Sequence, residues 1–123
     1  MNYESMSNFE INKAVANLLD AKFMLDEFVF GNEEREVVYL CEKDGIDSIF
    51  PVCEFNPCGN PADAWPIIVE HGICIEKRSR LTDFWVAITW HQISGNEYRP
   101  IHQHSDKNPL RAAMIVFLMM SES

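Results

Sequence analysis

Apolar residues first fall into a helical rhythm behind Ser7-Asn8-Phe9-Glu10. Ile11, Val15, Leu18 and Leu19 share one stripe, and Lys22 can lie along it by its aliphatic stem. Ser7 and Glu10 have the spacing of a capping box, in which each side chain satisfies the other's free backbone amide. The spacing predicts a helix over Asn8 to Ala21, then a turn or short strand from Phe23 to Phe30, punctuated by Gly31-Asn32. Glu36 to Cys41 is rich in β-formers and predicts a strand. Lys43-Asp44-Gly45 signals a turn. Ile46 to Phe50 reads as a weak strand stopped by Pro51, and Val52 to Gly59 as irregular chain.

Asn60-Pro61-Ala62-Asp63 starts a second helix: asparagine caps free amides, proline fills a position that needs no donor, and the aspartate suits the positive helix end. Trp65, Ile68 and Val69 are its expected apolar stripe and Gly72 its terminator, with Pro66 able to kink or tighten the start. Ile73 to Lys77 and Phe84 to His91 then predict strands. In the latter, Phe84, Val86, Ile88 and Trp90 alternate with Trp85, Ala87, Thr89 and His91. After a turn at Ser94-Gly95-Asn96, Tyr98 to His104 is a polar third strand. Asn108-Pro109 opens a last helix whose Leu110, Met114, Phe117 and Leu118 stripe is widened by Ile115 and Met119. Its near-complete apolarity implies burial. The expected architecture is α+β: one domain over 1–123, with a single antiparallel sheet of three to five strands packed with two or three helices.

Charge narrows the choice of partners. Ten basic against nineteen acidic residues give −9. Residues 1–50 hold eleven acidic and four basic groups (net −7), and residues 51–123 hold eight and six (net −2). Such a chain is repelled by nucleic acid, and the only basic run is Lys77-Arg78-Ser79-Arg80. The acidic half suits either plain solubility or a basic protein partner, and Glu33, Glu34 and Glu36 are its densest cluster. No apolar run reaches the length of a membrane span; the longest is Ala112 to Met120. The N-terminus lacks the basic start and apolar stretch of a signal peptide, so a cytoplasmic location is expected. There Cys41, Cys53, Cys58 and Cys74 should be reduced, although the Cys53-x4-Cys58 spacing leaves a metal site open.

Motifs for catalysis are sparse. There is no G-x-S-x-G elbow, glycine-rich phosphate loop or H-E-x-x-H helix. His102 and His104 can project from one strand face, with His91 across a hairpin and Asp106 or Cys74 as further ligands, which keeps a metal-dependent hydrolase as an alternative. No cofactor is expected. Trp65, Phe84, Trp85 and Trp90 lack the interleaved basic residues of a base-stacking platform. Core packing accounts for them better, with Trp85 expected to be the most exposed and a candidate protein-contact residue beside Glu33, Glu34 and Glu36.

The stretches Asn60-Pro61-Ala62-Asp63-Ala64-Trp65-Pro66-Ile67-Ile68 and Asn108-Pro109-Leu110-Arg111-Ala112-Ala113-Met114 resemble the NinX-like family of small tailed-phage and prophage proteins. The opening Ser7 to Ala16 is similar to the beginning of some members, and the likeness is weakest between Leu25 and Phe50. The family carries no active-site residues over to this chain. The resemblance implies an accessory phage protein acting in the bacterial host and contacting a host or phage protein. Three readings follow: an interaction or regulatory module without catalysis, an acidic decoy of a host nuclease or defence complex, and the metal-dependent hydrolase.

Overall fold

The computed structural model describes residues 2–23, 27–32, 37–44 and 48–122, with side chains over 2–19, 37–38 and 54–122. Its elements are helix α1 (Asn8–Phe23), strands β1 (Glu27–Asn32), β2 (Val37–Asp44) and β3 (Ser48–Glu54), helix α2 (Pro61–His71), strands β4 (Cys74–Glu76), β5 (Trp85–Ser94) and β6 (Glu97–Asp106), and helix α3 (Pro109–Glu122). The α+β class and the three helices are as expected. The strands, however, form two antiparallel three-stranded sheets rather than one, in the orders β1-β2-β3 and β4-β5-β6. Each sheet is built from strands adjacent in sequence, and the chain over residues 55–73, which includes α2, separates them. The molecule accordingly divides into two compact units, Met1–Asn56 and Pro57–Ser123.

In the first unit the capping box forms as its spacing demands: the Glu10 amide donates to Ser7 Oγ at 3.1 Å, and the Ser7 amide to Glu10 Oε1 at 3.3 Å. α1 buries Phe9, Ile11, Val15 and Ala16, while Leu18 and Leu19 are half-buried. Asn12 is buried with them and donates to Asn56 Oδ1 at 2.8 Å, which satisfies a polar group that burial would otherwise penalise. Gly31-Asn32 closes β1 from within the strand: both residues pair, with Val38 and Val37, so the strand runs two residues past Phe30. Pro51 does not stop β3 either. It lies opposite Cys41, where the register shifts on an edge strand, a place where a missing N–H costs no ladder bond. The turn expected at Lys43-Asp44-Gly45 is displaced, because Lys43 and Asp44 pair with Ile49 and Ser48; Gly45 lies outside the described residues.

In the second unit, Asn60 caps α2 by accepting from the Ala62 amide at 3.0 Å, and Gly72 closes it with φ of 62°, a left-handed conformation in which a Cβ would be strained. α3 is buried all round: every residue from Ala112 to Leu118 lies in the core, packed on β4, β5, β6 and α2. Both faces of the central strand are covered in its first half, since Val86, Ala87, Ile88 and Thr89 are all buried. The expected division of β5 into an inner and an outer face therefore fails there.

One polar junction sets α3 against the sheet. Asn108 Oδ1 accepts from the amides of Leu110 (3.0 Å) and Arg111 (3.2 Å), capping the helix. Its Nδ2 donates to the Cys58 carbonyl at 2.6 Å, which ties in the chain leading to α2. Asp106, the last residue of β6, accepts from the Asn108 amide at 2.9 Å and from Arg111 Nε at 3.0 Å. Replacing Asn108 by alanine removes a cap and leaves a part-buried carbonyl unmatched, an expected loss of about 2–3 kcal/mol. Asn60→Ala removes only a cap, about 1 kcal/mol. Urea unfolding of the two variants checks the order; equal losses would show that the Cys58 contact contributes nothing.

Candidate functional site

The structure disperses the residues singled out for chemistry. His102 and His104 do share one face of β6, opposite Thr89 and Ala87. His91 does not join them, because a register shift between Thr89 and Trp90 sets it opposite Arg99. The His102 amide is engaged by Thr89 Oγ1 at 3.3 Å, and Asp106 is held by Arg111. Among the described residues, no three of His, Cys, Asp and Glu come together to hold a metal ion. Cys58 and Cys74 are free thiols, the first buried and the second exposed. The side chains of Cys41 and Cys53, and all of Glu33, Glu34 and Glu36, lie outside those described. Burial pushes the Cys58 thiol up to about 12, against a smaller downward pull from the Arg111 guanidinium and a further upward push from Asp106.

Trp85 is not the most exposed tryptophan. It is half-buried, with Lys77 Nζ 5.8 Å from its ring centroid. Trp65 and Trp90 are exposed to 63% and 42%, and each lies on a surface of the second unit where other apolar residues are exposed beside it.

The first surface is on α2. Its buried stripe is Ala64, Ile67 and Ile68, with half-buried His71 tilted against Phe117 at 4.8 Å. The stripe expected from Trp65, Ile68 and Val69 is thus rotated. Starting the count at Ala64 gives the i, i+3, i+4, i+7 set that packs, and Trp65 and Val69 fall one turn apart on the solvent side. Ala62 and Pro66 extend that exposed face.

The second surface is the outer half of the β5–β6 hairpin. β4 reaches only to Ile88 on its neighbour, so beyond that point β5 has β6 alone beside it. Every residue from Trp90 to Ile101 is exposed. The register pairs Trp90 with Pro100 and Gln92 with Tyr98, which places these four on one face; His91 and Arg99 pair on the other, which Glu97 shares. The two register shifts leave Ile93 and Ile101 without partners in the ladder. The presence of Pro100 within a strand pattern is the sequence signal that marks this irregular edge.

A family model described as Bacteriophage P22, NinX matches residues 2–121. Neither the curated proteins nor the solved structures give a match to the chain.

The thiols provide a check on the local environment. Cys58, raised from 9.0 to about 12, has about a thousandth of an ordinary thiol's thiolate near pH 8 and no access to solvent. Iodoacetamide with peptide mapping should label Cys74 at least on the order of a hundredfold faster than Cys58, until denaturant equalises them. An unfolded thiol ionises near 9.0 and the folded one only near 12, so Cys58's contribution to stability is intact below pH 9 and falls as pH rises through that window. Cys58→Ala should flatten the alkaline decline in unfolding free energy; an unchanged decline would assign it to other groups.

Proposed function

The chain belongs to the NinX family of bacteriophage P22, and from that premise we propose that it is a phage accessory protein acting as a protein-interaction module in the host cytoplasm, with no catalysis of its own. The observation that carries this reading is the exposed face of α2, where Trp65 (63%) and Val69 (59%) stand one turn apart in open solvent. Exposed tryptophan with flanking apolar residues on a regular helix is the kind of anchor that fills a groove on another protein. Among the described residues no helix is long and apolar enough to cross a membrane.

The net charge of −9 favours a second reading, an acidic decoy occupying the nucleic-acid surface of a host nuclease or defence complex. The two differ in salt dependence. Contact through α2 survives high salt, whereas charge mimicry is screened within about 10 Å at ~0.1 M salt and more strongly above it. Capture by the tagged full chain from bacterial lysate at low and high salt, with mass spectrometry of the retained proteins, separates them. The module predicts a partner retained at high salt and lost with Trp65→Ala, a truncation expected to cost about 2 kcal/mol or more, roughly thirtyfold in Kd. A partner released by salt and indifferent to Trp65 would favour the decoy.

A further inference from the structure

We propose that the β5–β6 ribbon is a homodimer interface, in which β6 pairs antiparallel with β6 of a second copy about a two-fold axis at Tyr98. This goes beyond the partner-binding reading and uses a different surface.

The ribbon is built incompletely for a monomer. β6 is the edge of its sheet, and beyond Ile88 the hairpin has two strands only. Two-stranded ribbons are marginal in water, and an edge exposes unpaired N–H and C=O groups that invite a further strand. The bulged positions also carry isoleucine: Ile93 and Ile101 are 45% and 55% exposed, and Trp90 and Tyr98 are 42% and 54% exposed.

The charges select a second copy as the occupant. Glu97-Tyr98-Arg99 is self-complementary about its central residue. Antiparallel pairing that sets Tyr98 opposite Tyr98 sets Glu97 of each copy opposite Arg99 of the other, the favourable arrangement of cross-strand charges. Within its own chain Arg99 faces His91 and, among the described residues, has no ion pair; Glu97 has only a long contact with Ser94 Oγ at 3.4 Å. The formal charge of residues 90–101 is zero, one glutamate and one arginine, so two copies of a −9 chain can meet here without like charges in contact. On the other ribbon face, the same pairing joins Trp90, Pro100 and Tyr98 of each copy into one apolar surface across four strands. An isologous contact of this kind closes on itself and does not propagate into fibres.

The test is a charge reversal read by sedimentation equilibrium of the full chain. The wild type should show twice the 14.2 kDa chain mass at micromolar to high-micromolar concentration. Glu97→Arg alone and Arg99→Glu alone each turn two attractive pairs into repulsive ones and should weaken the dimer roughly tenfold or more. The double variant E97R/R99E restores both pairs and should recover dimerisation to within a few-fold. A wild type that stays monomeric at several hundred micromolar overturns the proposal, as does a double variant no better than the singles. Both positions lie on an exposed ribbon, and circular dichroism reports whether each variant is folded. Trp65→Ala should leave the dimer intact; a wild type that dimerises but captures no partner overturns only the partner-binding reading, and one that captures a partner but stays monomeric overturns only the dimer.

Discussion

Asn108 is the residue on which the geometry of the second unit depends. It stands between the end of β6 and the start of α3, and three groups converge on its side chain: two helix amides and the Cys58 carbonyl. Arg111 and Asp106 close the same junction by an ion pair that is largely screened from water. A helix as apolar as α3 gains from burial in almost any orientation, because hydrophobic attraction is non-directional. What fixes its angle and register is the directional set of hydrogen bonds at its first turn. The Asn108-Pro109-Leu110-Arg111 run that marks the family resemblance thus has an architectural explanation.

That placement has a consequence at the other end of the sheet. Seven consecutive buried residues of α3 match the covered half of β5, Val86 to Thr89, where β4 also contributes a third strand. Past Ile88 the third strand does not continue along β5, and from Trp90 on the strand emerges with its apolar side chains exposed. The exposed aromatics of the ribbon are therefore not a failure of packing within the core. They result from a hairpin longer than the layer that it packs in, and such surplus is costly in water unless another surface meets it.

The local signals of the sequence were legible in proportion to how local their physics is. Ser7 with Glu10, Asn60 with Pro61, Asn108 with Pro109, and Gly72 each encode their effect within a few residues, and each does in the structure what its spacing requires. Periodicity was a weaker guide. Counting from Trp65 instead of Ala64 rotated the α2 stripe and hid the tryptophan that ends up most exposed. On β5, strict alternation put Trp90 on one face with the buried Val86 and Ile88, but a one-residue register shift and the shortness of β4 decide its exposure, and both are properties of neighbouring strands. The same non-local dependence misplaced the strand ends at Gly31 and Pro51, which pair because β2 lies beside them. His91, His102 and Asp106 looked like a cluster only while register and the Arg111 contact were unknown.

Charge is unevenly divided between the two units. Met1–Asn56 holds twelve acidic and four basic residues, a net −8, whereas Pro57–Ser123 holds seven and six, a net −1. The exposed α2 face and the ribbon both belong to the near-neutral unit. Long-range attraction and short-range contact place opposite demands on a surface: the first needs net charge, and the second needs groups that can be desolvated cheaply. A chain that keeps them on separate units can raise encounter rates with a basic partner through the first and hold contact through the second. In that division, salt acts mainly on association rate and apolar truncation mainly on dissociation rate, so the acidic surplus and the exposed tryptophan are compatible with a single mode of binding.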